Sequence, residues 1–177
     1  VTVFHLAYGV LVIATVAVGG VMAVRIVPRI EEAAAGRTLL DKRVGGYNFA
    51  EARTFLRALT PEAANTYLRM AMGLDMIFPL LYGATIALAI QWTTPDHFPI
   101  PPYVMALAVL PAVIFDLREN ALVAAMLMGG PEELKPELAA RASTSTRWKW
   151  RLLAASICVL AVMAAVRFIG TTSQEGA

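Results

Sequence analysis

Apolar residues gather in four runs, at about 3–24, 70–92, 102–128 and 152–169, and the chain between them is polar and basic. A helix that crosses hydrocarbon needs roughly 17–25 apolar residues. Trp148 and Trp150 carry the last run into the interfacial zone. Spans are therefore predicted at about 3–24, 66–92, 102–128 and 148–169. A different pattern precedes the second run. Phe49, Ala52, Phe55, Leu56 and Leu59 recur at helical spacing, while Glu51, Arg53 and Arg57 fall on other faces. Asn48 and Glu51 have the spacing of a capping box. Together they predict an amphipathic helix over 48–59, on the membrane surface or against the bundle.

Breakers and caps set the connections. Gly45-Gly46 marks a turn. Thr60-Pro61-Glu62 starts a helix, with Thr as N-cap and Pro in the first position. With no breaker read between Ala63 and Phe78, this helix is expected to run unbroken from 61 to 92. At 1.5 Å per residue that is roughly 48 Å, longer than a hydrocarbon core of roughly 30 Å, so its first turns should project into the cytoplasm. Pro95, Pro99, Pro101 and Pro102 make a tight outer connection. Gly129-Gly130-Pro131 ends the third helix, and 132–145 reads as a polar loop with room for one short helix. The expected architecture is all-α: an integral membrane four-helix bundle forming one domain over 1–177, with one amphipathic cytoplasmic helix between the first and second spans.

Composition agrees, with 58% hydrophobic and 16% charged residues and a mean hydropathy of +0.63, unlike an ordinary soluble domain. Thirteen of the fifteen lysines and arginines lie between Arg25 and Arg69 or between Lys135 and Arg151. Positive residues stay on the cytoplasmic side, which puts both termini and the 93–101 connection outside. The first run is too long for a signal peptide, lacks a basic start and is followed by Arg25 and Arg29, so a retained span is expected. Val1 is not an initiator methionine, which raises the expectation that residues precede it.

Two histidines and the single Cys158 exclude an intrachain disulfide framework and a cysteine-type zinc site. No nucleophilic triad, phosphate loop or metal-ligand spacing is present; no metal, cofactor or nucleic-acid partner is expected. His5 has no second histidine on a span to share a haem or chlorin. Its simpler reading is a polar residue at headgroup level. Ala154, Cys158, Ala161 and Ala165 form a small-residue ladder that favours close helix packing, inside the bundle or against a partner.

The chemistry lies where charge enters the apolar runs. Asp116, Arg118, Glu119 and Asn120 interrupt the third run and Asp75 the second; intramembrane ionisable residues must face protein, water or each other. Asp116, Glu119 and Asn120 share a helix face at i, i+3, i+4, and Arg118 points roughly opposite. Asp75 falls about 22 Å and Asp116 about 20 Å below the outer face on adjoining antiparallel helices, so the acids are expected to meet. Arg25, Arg69 and Arg151 are available as counter-charges. Pro79 removes the hydrogen bond to the carbonyl of Asp75 and Pro111 that to Leu107, predicting kinks and free carbonyls. Tyr82, seven residues on, shares the face of Asp75.

These residues resemble a loose group of uncharacterised small bacterial four-span integral membrane proteins. The likeness rests on Leu74-Asp75, Phe78-Pro79 and Tyr82-Gly83, on Asp116 with Glu119-Asn120, on Lys149-Trp150, and on the helix around 51–59, covering about 47–150. It implies a four-helix bundle in a bacterial inner membrane and brings no substrate or catalytic residue. Two functional expectations follow. The leading one is an interaction protein: a subunit or accessory factor of a larger membrane assembly, or a self-associating scaffold. The alternative is a lipid-, isoprenoid- or quinone-binding protein, or a membrane-embedded enzyme, with Asp75, Asp116 and Glu119 as site carboxylates.

Overall fold

Long apolar stretches and well-placed caps give a chain that is helical almost throughout. The computed structural model describes the backbone of residues 3–175 and the side chains of residues 3–170; the terminal residues, 1–2 and 176–177, lie outside the described residues. No strand occurs among the described residues. Helix α1 (Val3–Val21) continues through a π-helical stretch, Met22–Ile26, into α2 (Val27–Ala33). The loop that follows includes a 3₁₀ turn, Leu40–Lys42. Helix α3 (Phe49–Ala58) has the expected capping box: the Asn48 side chain accepts from the Glu51 amide and the Glu51 carboxylate accepts from the Asn48 amide, at 2.9 and 2.7 Å. Its Ala52, Phe55 and Leu56 face is buried.

Helix α4 (Pro61–Met72) opens on Thr60, whose hydroxyl accepts from the Ala63 amide, and α5 (Leu74–Thr93) follows at once. The unbroken helix expected over 61–92 is thus interrupted. Gly73 sits at φ −114° and ψ −93°, and a Cβ there would lie 2.8 Å from the Arg69 carbonyl oxygen, so the break needs a glycine. Pro79, in contrast, is accommodated within α5. After the proline-rich connection, α6 (Pro102–Ala106) tightens into a 3₁₀ turn, Leu107–Val109, and then α7 (Leu110–Glu133). The tightening answers Pro111. The Leu107 carbonyl, which loses its partner four residues on, takes the Leu110 amide instead. Gly130, at φ +71°, breaks α7 one turn before its end.

The region expected as a polar loop, 132–145, is mostly helix. Only Leu134 and Lys135 separate α7 from α8 (Pro136–Glu175), a single helix of 40 residues that carries the last apolar run. The reason is a buried stripe of small residues, Ala139, Ala142, Ser143 and Thr146. Their low hydropathy looks like a loop, but their spacing is that of a packed helix face.

Among the described residues, three helical stretches are long and apolar enough to cross a membrane: Val3–Ala33, Pro61–Thr93 and Pro136–Gly170. Their outward faces carry large exposed apolar side chains, among them Leu6, Ile13, Leu80, Val162 and Phe168. The larger core gathers at one end of these stretches, where α2, α3, α4, the end of α7 and the start of α8 meet around Ile30, Leu39, Phe55, Tyr67, Val123 and Met126. At the other end His5 and Phe4 stack edge-on against Trp92, and Arg167 donates to the Trp92 carbonyl. The start of α1, the end of α5 and the later part of α8 therefore lie at one end of the molecule. α7 runs between α5 and α8, and α1 packs on α5.

Candidate functional site

The polar interior is assembled from α5, α7 and α8. On α7, Asp116, Glu119 and Asn120 are buried on one face, as their spacing requires. Lys149 of α8 reaches between the two acids, its Nζ 3.2 Å from Asp116 Oδ1 and 2.5 Å from Glu119 Oε2. Tyr82 of α5 donates to Asp116 Oδ2 at 2.9 Å, and Thr146 donates to Glu119 Oε1. Each ionised group thus meets a partner, the condition under which buried charge is tolerated. With two acceptors taken by one ammonium, Lys149 is a structural counter-ion and not a free nucleophile.

Pro79 and Asn120 explain each other. The proline leaves the Asp75 carbonyl without its helical donor, and the Asn120 amide of α7 donates to that carbonyl. The bond locks α5 to α7 at the depth of the acids.

The Asp75 carboxyl behaves differently. It is 6% exposed, lines a cavity, and makes no hydrogen bond or ion pair with any described residue. That cavity, of about 490 Å³, is a cleft lined from α1 and the π-helical stretch, from α5 and from α8. Asp41, Asp75, Asp116 and Lys149 supply its polar end, with Lys42 beside them. Gly19, Ile86, Leu153 and Ile157 line its apolar length, and Phe78, Tyr82 and Trp150 its aromatic walls. The loop is fixed over the polar end by two bonds to Asp41: Trp150 Nε1 donates to its carbonyl at 2.9 Å, and the Tyr67 hydroxyl donates to its carboxylate at 3.2 Å. Lys42 at the rim pairs with Glu31 at 2.9 Å.

Beside this site, the Tyr47 amide donates to Ser143 Oγ at 2.8 Å. Its buried hydroxyl has no hydrogen-bond partner among the described residues. Burial first, and then the nearby Glu119 carboxylate, push the Tyr47 phenol above its ordinary range. At the far edge of α3, Arg57 and Arg53 both grip Glu132, at 3.0 and 2.7 Å, and hold its carboxyl below the usual glutamate range.

Of the residues singled out in the sequence, Asp75, Tyr82, Asp116, Glu119 and Asn120 come together. Arg118 does not: it is exposed on the opposite face of α7. The counter-charge expected from Arg25, Arg69 or Arg151 comes instead from Lys149. Lys149 was legible only as an interface anchor, because its i, i+3 relation to Thr146 appears once 136–150 is recognised as helix. Asp41, in a loop far along the chain, left no sequence signal. The small-residue ladder of Ala154, Cys158, Ala161 and Ala165 faces outward. Comparison with protein families, with curated proteins and with solved structures yields no match for this chain.

Proposed function

We propose that this is an integral membrane protein that binds an amphipathic small molecule or lipid. The polar head would sit at the Asp75 end of the cleft, and the apolar part would lie between α1 and α8. The observation that carries the reading is a cavity graded from charged to apolar, lined by helices whose outward faces carry exposed apolar side chains. The basic loops support a four-span arrangement in a bacterial inner membrane, with the path through α6 and α7 as the third span and the α3 helix on the cytoplasmic side. The likeness to small bacterial four-span proteins belongs to the same proposal. No step of chemistry is assigned: the buried Lys149 amine is engaged by two carboxylates.

Ala23 lines the cleft from the π-helical stretch and is exposed, so Ala23→Phe fills the space without entering the core. The wild type purified in mild detergent is expected to retain a lipid or small molecule in stoichiometric amount, and Ala23→Phe to lose it at unchanged thermal stability. Equal retention by both sinks the proposal.

The second reading is a subunit or accessory factor, or a self-associating scaffold. It is favoured by the outward ladder on α8, where small side chains let another helix approach closely.

A further inference from the structure

Building on the ligand-binding reading above, we infer that the cleft selects a primary ammonium head carried on an apolar chain. The inference rests on which charges at the polar end are already satisfied. Four carboxyls, Asp41, Asp75, Asp116 and Glu119, surround one buried cation, Lys149, which is spent on Asp116 and Glu119. Lys42 faces Glu31. Asp41 takes a single hydroxyl from Tyr67, and the Asp75 carboxyl takes no donor from any described residue although it is almost fully buried and borders the cavity. The place is short of positive charge and of donors together.

A group that brings one positive charge and several N–H donors meets both needs. A metal ion meets only the first, and no three acidic, histidine or cysteine side chains among the described residues converge to hold one. An anionic head would face unpaired acids. The walls add to the preference: Trp150, Phe78 and Tyr82 border the same space, and aromatic faces attract cations. Trp150 already has the Lys149 ammonium 5.7 Å from its ring centroid. The apolar length from Tyr82 to Ile86 and from Leu153 to Ile157 runs away from the acids on α5 and α8, which is where the chain of such a molecule would follow its head.

The test compares three probes with the same tail: dodecylamine, dodecyltrimethylammonium and dodecanol. Each is added to the full-length protein in a neutral detergent, and one-to-one adducts are titrated by native mass spectrometry. Dodecylamine is expected to bind at least about tenfold more tightly than either other probe. Asp75→Asn should abolish that preference, and an unchanged thermal unfolding midpoint shows that the variant is folded. Equal binding of amine and alcohol overturns the ammonium inference and leaves the cleft reading standing. Equal binding of the amine and the trimethylammonium probe overturns the need for N–H donors. A preference that survives Asp75→Asn overturns the assignment to this carboxyl. Failure of all three probes to bind overturns the inference and the cleft reading beneath it.

Discussion

Lys149 shows how much one side chain decides when charge is kept out of water. Among the described residues it is the only cation paired with Asp116 and Glu119. Removing one partner of a buried ion pair is costlier than never having had the pair, because the remaining charge stays buried. Lys149→Met is therefore expected to destabilise the protein by about 3–5 kcal/mol, read as a shifted midpoint in denaturant unfolding. Adding Glu119→Gln should recover part of the loss; a single variant as stable as the wild type would show the acids are held otherwise. At this scale the sequence was informative wherever a residue's neighbours on its own helix mattered. Asp116, Glu119 and Asn120 shared a face, and the carbonyl freed by Pro79 is the one that Asn120 satisfies. It was silent on partners from distant segments, since the reach of Asp41 or Lys149 into the site depends on how helices pack.

Elements were read well by their caps and poorly by their hydropathy. The Asn48–Glu51 box and the Thr60-Pro61 start appear as expected. The first third of α8 was hidden because its buried face is serine, threonine and alanine, and the break at Gly73 because one glycine among apolar residues often stays helical. The docking of α3 has its own ionic latch, Arg53 and Arg57 on Glu132. A carboxyl held lower in the folded state than in the unfolded chain contributes stability above the unfolded pKa, near ~4.3 for glutamate, and loses it as pH falls through the folded value. Wild type should thus melt higher than Glu132→Gln at pH 7, and the two melting curves should converge near pH ~3. A gap that persists in acid would assign the difference to packing. Glu132 and Arg57 are exposed and Arg53 is half-buried, so the effect at neutral pH is small.

For the whole molecule, an all-helical chain was legible from run length, and of the four runs read as spans three lie, among the described residues, on helices long and apolar enough to cross a membrane. The separation of a tight core at one end from loosely packed apolar helices was not, because periodicity cannot distinguish a face covered by protein from one covered by lipid. Exposure of Cys158 on the α8 ladder turns the subunit question into a crosslinking experiment. If copies of the chain associate through that face, mild oxidation in membranes should yield a covalent dimer, and Ala161→Leu, which blocks close approach, should cut its yield severalfold. Monomer alone in both would remove self-association from the second reading.

The π-helical stretch Met22–Ile26 carries a consequence for chain length. A π turn holds one more residue than an α turn, so the stretch amounts to an insertion absorbed without a loop. Deleting one residue there would restore ordinary helical pairing and leave both flanking helices intact. It would also rotate everything before it by about 100°, swinging Gly19 off the Phe78 ring and Thr15 off Thr85, with which it now shares a hydrogen bond. The side wall of the cleft is thus held in phase by a single surplus residue.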